Sequence, residues 1–209
     1  MIHLLLAAVL ASNASGKPLV RSSPGTMVTS PSQRFTNYVA TSGSFCNSNN
    51  LNDTGWGLFQ ATCVNNVAAD PDGKVTMDQV VSTSAAGVVY QSVTTPSSAT
   101  FSASAWAQTV GADAASLVGY CPSGTLAACS CTVSTGTCTS VLSTRFCTAY
   151  VTSQATPVRL VATFTCPSAT TGPGIQVHGG VYGTSTGSAN FGGLQLKIGA
   201  PTLRYIPTS

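Results

Sequence analysis

From Arg34 onward the chain is a succession of short apolar runs set between turn clusters: RFTNYVA, WGLFQATCV, GVVYQSVT, ATFSASAWAQT, ASLVGYC, RFCTAYVTS, VRLVATFTC, GIQVHGGVYG and GGLQLKIG. Successive side chains of a strand point to opposite faces. The alternation in VRLVATFTC therefore puts Val158, Leu160, Ala162 and Phe164 on one face and Arg159, Val161, Thr163 and Thr165 on the other. Many short strands between turn signals predict a sandwich or barrel, and nothing resembles a long amphipathic helix. In the last run, Leu194, Leu196 and Ile198 alternate with Gln195 and Lys197, which predicts an apolar face in the interior and Lys197 in solvent. Beyond it, Leu203, Tyr205 and Ile206 are kept for burial at the sandwich edge, while Pro201 and Pro207 stop the ladder from extending to a neighbour.

Between the runs, NNVAADPDGKVTMDQVV reads as a loop with a tight turn at Asp70 to Gly73, where Pro71 fixes φ, Asp72 bonds nearby backbone and Gly73 is free to take positive φ. At the other end, Leu4 to Ala11 is an apolar run followed by Ser12-Asn13-Ala14, which imitates a signal-peptide cleavage site. No Lys or Arg precedes it, so retention is the expectation, and the run is too short for the about 20 residues a bilayer span needs. Lys17 to Gln33, rich in Ser, Pro, Thr and Gly, reads as an extended connector. Residues 1–33 are thus expected to be an arm and linker without a fold of their own, docked on a partner or on their own domain. Residues 34–209 are expected to form one domain.

Composition sharpens the all-β reading. Only 6% of the residues are charged and Glu is absent, so good surface helix formers are scarce. The net charge of +3 comes from eight scattered basic residues with no run among them, which argues against electrostatic nucleic-acid binding. The eight cysteines, Cys46, Cys63, Cys121, Cys129, Cys131, Cys138, Cys147 and Cys166, read first as a disulfide framework, which implies an oxidising environment. A zinc site is the rival reading, disfavoured because there is no Cys-x-x-Cys pair and His3 and His178 lie far from Cys129-Ser130-Cys131. Buried free thiols are the third. Cys46 with Cys63 is the favoured remote pair, and Cys129 and Cys131 are expected to take different partners. Residues 121–147 hold five of the cysteines in a stretch of low hydrophobicity, expected as an excursion in which cross-links substitute for a local core.

Two stretches carry a resemblance. DTGWGLFQATCVNNVAADPDGKVTMDQVV is similar to the opening of jelly-roll domains in tailed-bacteriophage virion proteins, with Trp56, Ala61, Val64, Asn66, Asp70, Pro71, Asp72, Gly73, Thr76 and Asp78 in matching places. FGGLQLKIGAPTLRYIPTS resembles their closing segment through Gly192, Gln195, Leu196, Gly199, Tyr205, Ile206, Pro207 and Thr208. ATFSASAWAQT and PVRLVATFTCPSATT resemble two intervening strands. Lys197 departs from a common Glu, Phe191 and Gly193 interrupt an aromatic site, and the cysteines are outside the pattern. The resemblance implies an antiparallel β-sandwich, a jelly roll of the carbohydrate-binding-module type used in tail fibres and capsid decorations, carried on a virion.

No catalytic constellation can be assembled. The acids are Asp53, Asp70, Asp72, Asp78 and Asp113, of which Asp70 and Asp72 read as turn residues and Asp53 and Asp78 as local caps or turn partners. His178 reads as a satisfied strand residue, and no Gly-x-Ser-x-Gly elbow presents a nucleophile. No enzyme activity, cofactor or metal is therefore expected. The leading functional reading is a structural component of a virus particle, assembling with other virion proteins and copies of itself. A glycan- or receptor-binding module on the virion ranks second and a secreted disulfide-bonded surface module third. Sugars stack on exposed aromatics, for which Trp56, Trp106, Tyr120, Tyr150 and Tyr182 are candidates. The two tryptophans read as core, and Tyr182, among Gly179, Gly180 and Gly183, is the surface candidate.

Overall fold

A computed structural model describes residues 45–46, 55–93, 99–111, 113–121, 126–142, 146–150, 157–166 and 173–199, with the backbone alone for Leu126, Val141, Leu142, Phe146 and Tyr150. The arm and linker expected over 1–33, the run RFTNYVA and the expected Leu203–Pro207 edge cover lie outside the described residues. Among the described residues no helix is long and apolar enough to cross a membrane.

Among the described residues, twelve strands, numbered in chain order, form two six-stranded antiparallel sheets. The first sheet runs in space as β1 (Trp56–Phe59), β4 (Val88–Ser92), β11 (Gly174–His178), β6 (Ala114–Tyr120), β7 (Leu126–Thr132) and β8 (Thr137–Leu142). The second runs as β2 (Ala61–Ala69), β3 (Val75–Ser82), β12 (Gly187–Ile198), β5 (Thr100–Thr109), β10 (Val158–Thr165) and β9 (Phe146–Tyr150). The chain changes sheets from β1 to β2, β3 to β4, β4 to β5, β5 to β6, β8 to β9, β10 to β11 and β11 to β12. The inner orders β3-β12-β5-β10 and β4-β11-β6-β7 are the double Greek key of a jelly roll.

The core lies between the sheets and follows the period of two. Phe101, Ala103, Ala105 and Ala107 of β5, Leu160, Ala162 and Phe164 of β10, and Leu194 and Leu196 of β12 meet Leu117, Ile175, Val177 and Val89 of the first sheet. Small residues in β5 leave room for larger ones opposite. Phe164, stacked on Phe101 at 5.5 Å, fills the space over Gly119, where an added Cβ would lie 2.2 Å from the ring. Trp56 is buried against Phe45 at 5.1 Å.

Four expectations are corrected. The NNVAADPDGKVTMDQVV segment is a hairpin of β2 and β3, not a loop: the Asp70–Gly73 turn is closed by Gly73 N–H to Asp70 O at 2.9 Å, and strands continue on both sides. Its polar residues disguised a strand, because Asp78 is fully buried and accepts from Asn66 N–H at 2.8 Å and Cys46 N–H at 2.6 Å. Asp78 is therefore no local cap. It fixes the β2 irregularity between Val64 and Ala68, where Asn66 has φ 53°.

The Cys121–Cys147 segment is woven into the sandwich rather than projecting from it. Strands β7 and β8 extend the first sheet and β9 flanks β10 in the second. Here Ala127, Cys129, Cys131 and Val133 are buried, so small apolar residues and sulfur supply the core that a count of large hydrophobes misses. Lys197, expected in solvent, is 5% exposed, while Ile198 is 37% exposed at the end of its strand.

All eight cysteines are paired, as Cys46–Cys63, Cys121–Cys166, Cys129–Cys147 and Cys131–Cys138. Cys121–Cys166 ties the end of β6 to the end of β10, and Cys129–Cys147 ties β7 to β9. Both therefore cross between the sheets, each contributing about 3 to 4 kcal/mol in the chain-entropy account. Such cross-links belong to an extracellular or secreted setting.

Candidate functional site

The outer face of the first sheet carries an open cleft of about 310 Å³ lined by Phe59, Ala86, Val88, Tyr90, Tyr120, Gln176 and Tyr182. Strand alternation delivers these residues. Val89, Ile175 and Leu117 point into the core, so Val88 and Tyr90 of β4, Gln176 of β11 and Tyr120 of β6 point out. Gln176 lies in register between Tyr90 and Val118, on the strand that separates β4 from β6.

Two glycines set the tyrosine rings. An added Cβ at Gly57 would lie 2.5 Å from the Tyr90 ring, and one at Gly174 would lie 2.3 Å from the Tyr120 ring. Each ring thus passes directly over a cross-strand glycine backbone and lines the cleft. The Tyr120 hydroxyl is hydrogen-bonded to Ser92 Oγ. Burial pushes the Tyr120 phenol above its ordinary pKa; the Ser92 bond works the other way, and neighbouring Tyr90 adds a smaller upward push. Phe59, 51% exposed, stands at the rim, and the Gln176 carboxamide oxygen has no hydrogen-bond partner among the described residues.

Tyr182 comes from the turn between β11 and β12, pinned to both sheets. Ser116 Oγ donates to Gly180 O at 2.6 Å and accepts from Tyr182 N–H at 3.0 Å and from the Ser130 hydroxyl at 2.6 Å. Gly183 N–H donates to Ala85 O at 2.7 Å. His178 is fully buried beneath this turn, with Nδ1 2.5 Å from Gly87 O and Nε2 2.9 Å from Ser185 O, and its ring meets Tyr182 edge-on at 5.7 Å. Its ring nitrogens are engaged in holding the turn that presents Tyr182.

The structure brings Tyr120 and Tyr182, two of the sequence candidates, to one cleft. Trp56 is in the core, and the Tyr150 side chain lies outside the described residues. Trp106, expected in the core, instead lies on the outer face of the second sheet with the Arg159 guanidinium 5.1 Å from its ring centroid. Sequence reasoning missed Tyr90, Phe59 and Gln176. The alternation of Val88-Val89-Tyr90 carried the signal for Tyr90, but its partner Gly57 is adjacent only through β-pairing.

Asp70 and Asp113, like the buried Asp78, have structural partners. Asp70 accepts from Asp72 N–H and Lys74 N–H, both at 2.9 Å, and from the Thr76 hydroxyl at 2.7 Å. Asp113 accepts from the Ser134 hydroxyl and from Ser134 N–H, which hold its carboxyl below the usual range. No strand of the first sheet contains Asp, Glu, Lys or Arg. The cleft is thus equipped to stack and hydrogen-bond a neutral ligand.

The described residues form a disulfide-bonded jelly-roll sandwich with an aromatic cleft on one sheet. No protein-family model matches the chain, and no curated protein matches it. Among solved structures it is similar to the CBM22-1–GH10 modules of N-terminal endo-1,4-beta-D-xylanase 10B of Clostridium thermocellum, complexed with xylohexaose, at 10% identity over 80% of this chain and 29% of that one, with a TM-score of 0.49. It is also similar to the enzymatically active domain of bacteriophage CBA120 tailspike protein 4, at 12% identity over 78% of this chain and 21% of that one, with a TM-score of 0.42. The chain spans less than a third of the length of either.

Proposed function

We propose that this chain is a non-enzymatic module that binds a neutral saccharide in the Tyr90–Tyr120–Tyr182 cleft, on the surface of a virus particle or another extracellular assembly. The observation that carries the reading is the seating of Tyr90 and Tyr120 over Gly57 and Gly174, which fixes two stacking faces on either side of the Gln176 carboxamide. Apolar sugar faces stack on such rings, and an amide with phenol hydroxyls bonds the sugar hydroxyls. The absence of charged residues from every strand of this sheet favours neutral sugars over uronic or sialic acids. A glycan array spanning neutral and acidic saccharides, followed by titration calorimetry of the hits, tests this. Selective, salt-insensitive binding of neutral glycans that Tyr120→Ala weakens about tenfold is the expected result. Binding confined to acidic glycans, or none, overturns it.

A second reading, a structural subunit of the virion, is favoured by β2, the outermost described strand of the second sheet. There Val64 is 50% and Val67 42% exposed, and Val75 at the start of β3 is 58% exposed. Apolar residues along a sheet edge suit a protein neighbour, another virion protein or a second copy, and residues 1–33 would add an arm to that contact. Deleting residues 1–15 should leave the sandwich folded and lower incorporation into particles. Unchanged incorporation of the truncated chain removes this reading and leaves the cleft untouched.

A further inference from the structure

The four sulfurs of Cys129, Cys131, Cys138 and Cys147 all lie within 4.8 Å of one another. We propose that, when their two disulfides are reduced, these cysteines form a tetrathiolate site for zinc, so that β7, β8 and β9 are held by metal in a reducing compartment and by disulfides in an oxidising one. Zinc takes four thiolates at about 2.3 Å, which sets the edge of the sulfur tetrahedron at about 3.8 Å. Cys129 Sγ and Cys131 Sγ, which belong to different disulfides, are already 3.7 Å apart.

The fold, not the disulfides alone, gathers these residues. Cys129 and Cys131 sit two apart on β7 and so face the same side, Cys138 stands directly opposite Cys131 on β8, and Cys147 is on β9 in register with Ala162. The ladders that hold these strands survive cleavage of the sulfur–sulfur bonds. Reduced thiols would also have acceptors within reach: Val161 O is 3.6 Å from Cys129 Sγ, Gly136 O 3.7 Å from Cys138 Sγ and Thr139 O 3.5 Å from Cys147 Sγ. Cys129 and Cys131 are buried, whereas Cys138 and Cys147 are half-buried, which leaves the ion a path of entry. The other two disulfides are not part of this group.

The chemistry balances with a dithiol reductant. Each disulfide takes up two electrons and two protons, giving two thiols while the dithiol becomes a disulfide. One zinc ion then binds the four sulfurs as four protons pass to the buffer. Two equivalents of a small-molecule disulfide such as oxidised glutathione reverse the sequence: they take up the four electrons and four protons to become thiols, the two protein disulfides re-form and the metal is expelled. The spacing Cys-x-Cys, six residues, Cys, eight residues, Cys lacks the Cys-x-x-Cys hairpin by which such sites are read from sequence. Here the convergence is made by strand pairing.

The test uses the full chain, reduced under anaerobic conditions, with zinc chloride as the only added ligand. One ion per chain is expected in the reduced protein and none in the oxidised one. Cobalt substituted for zinc should show the strong charge-transfer and tetrahedral absorption of thiolate ligation. Zinc should slow the alkylation of Cys129, Cys131, Cys138 and Cys147 relative to the reduced, metal-free chain, mapped by mass spectrometry, and leave the rates at Cys46, Cys63, Cys121 and Cys166 unchanged. Cys129→Ser and Cys138→Ser should each weaken binding by more than about tenfold. Absence of bound metal in the reduced chain overturns the proposal, as does protection of a different set of cysteines. The alkylation map is made on the unsubstituted chain, so a variant that fails to fold does not blunt the result.

Discussion

The two outer faces of this sandwich are built by the same alternation and end in opposite states. On the first sheet, Tyr90, Tyr120 and Tyr182 line an open cleft and no strand carries a charge. On the second, polar groups are buried and bonded to one another: Arg159, 1% exposed, donates to Gly193 O at 2.8 Å, Ser104 Oγ at 2.7 Å and Gln195 Oε1 at 3.0 Å. Gly193 can present its carbonyl because it takes φ 55° where the β12 register shifts between Gly192 and Gln195. A buried guanidinium is tolerated only when its donors are matched, so this face is committed to internal structure. The tyrosine face spends its hydroxyls and ring faces less completely and can receive a ligand.

The contrast is sharpest in what substitutions should do. Arg159→Ala should have the largest effect, a loss of about 3 kcal/mol or more in urea unfolding, since several acceptors lose a charged donor at once. Its sugar affinity, measured near neutral pH where the variant is still folded, should match the parent. Loss of sugar binding by that variant would mean the two faces are not independent. Gly174→Ala should cost about 1 to 3 kcal/mol, because the new methyl meets the Tyr120 ring at 2.3 Å and Gln91 O at 2.4 Å. This change should also reduce affinity by displacing the ring. Tyr120→Ala should lower affinity about tenfold, about 1.4 kcal/mol, with the sandwich still folded by circular dichroism.

Smaller effects come from titration, with opposite signs on the two faces. The Tyr120 phenol is held above its ordinary value of 10.0 chiefly by burial, so the neutral form is favoured by folding. Its contribution is complete below that ordinary value and is lost as pH rises through the raised one. Sugar binding should therefore be flat across the neutral range and fall only at strongly alkaline pH, and Tyr120→Phe should remove that fall in stability. Burial holds Lys197 below its ordinary value of 10.5. Between the lowered value and 10.5 the unfolded chain binds more protons, so stability should rise with pH over that window. Lys197→Met should flatten the rise; an unchanged pH profile would return Lys197 to solvent.

Much of the fold was legible because strand periodicity and turn chemistry are local. Val158, Leu160, Ala162 and Phe164 fall on the core face as their spacing implies, and the Asp70–Gly73 turn closes where Pro71 and Gly73 mark it. Strand β3 was less legible: Asp78 reads as polar loop, and only the backbone donors of Asn66 and Cys46, brought from 12 and 32 residues away, make its burial tolerable. Strands β7 and β8 were hidden because alanine and cysteine give a weak hydrophobic signal. The candidate site was half legible, since Tyr120 and Tyr182 can be named from sequence while Tyr90 gains its meaning from the glycine beside it in another strand.

By itself the sequence determined that this chain is all-β, which residues of each strand share a face, and that its cysteines are numerous enough to cross-link it. Those properties depend on neighbours one or two positions away along the chain. The tertiary structure alone decided which of the two outward faces would be buried. It also decided which aromatic rings would meet, which sulfurs would converge from β7, β8 and β9, and that Lys197 would leave solvent. Each of these depends on pairing between strands far apart in sequence, and a period of two says which side a residue faces but not what it will find there.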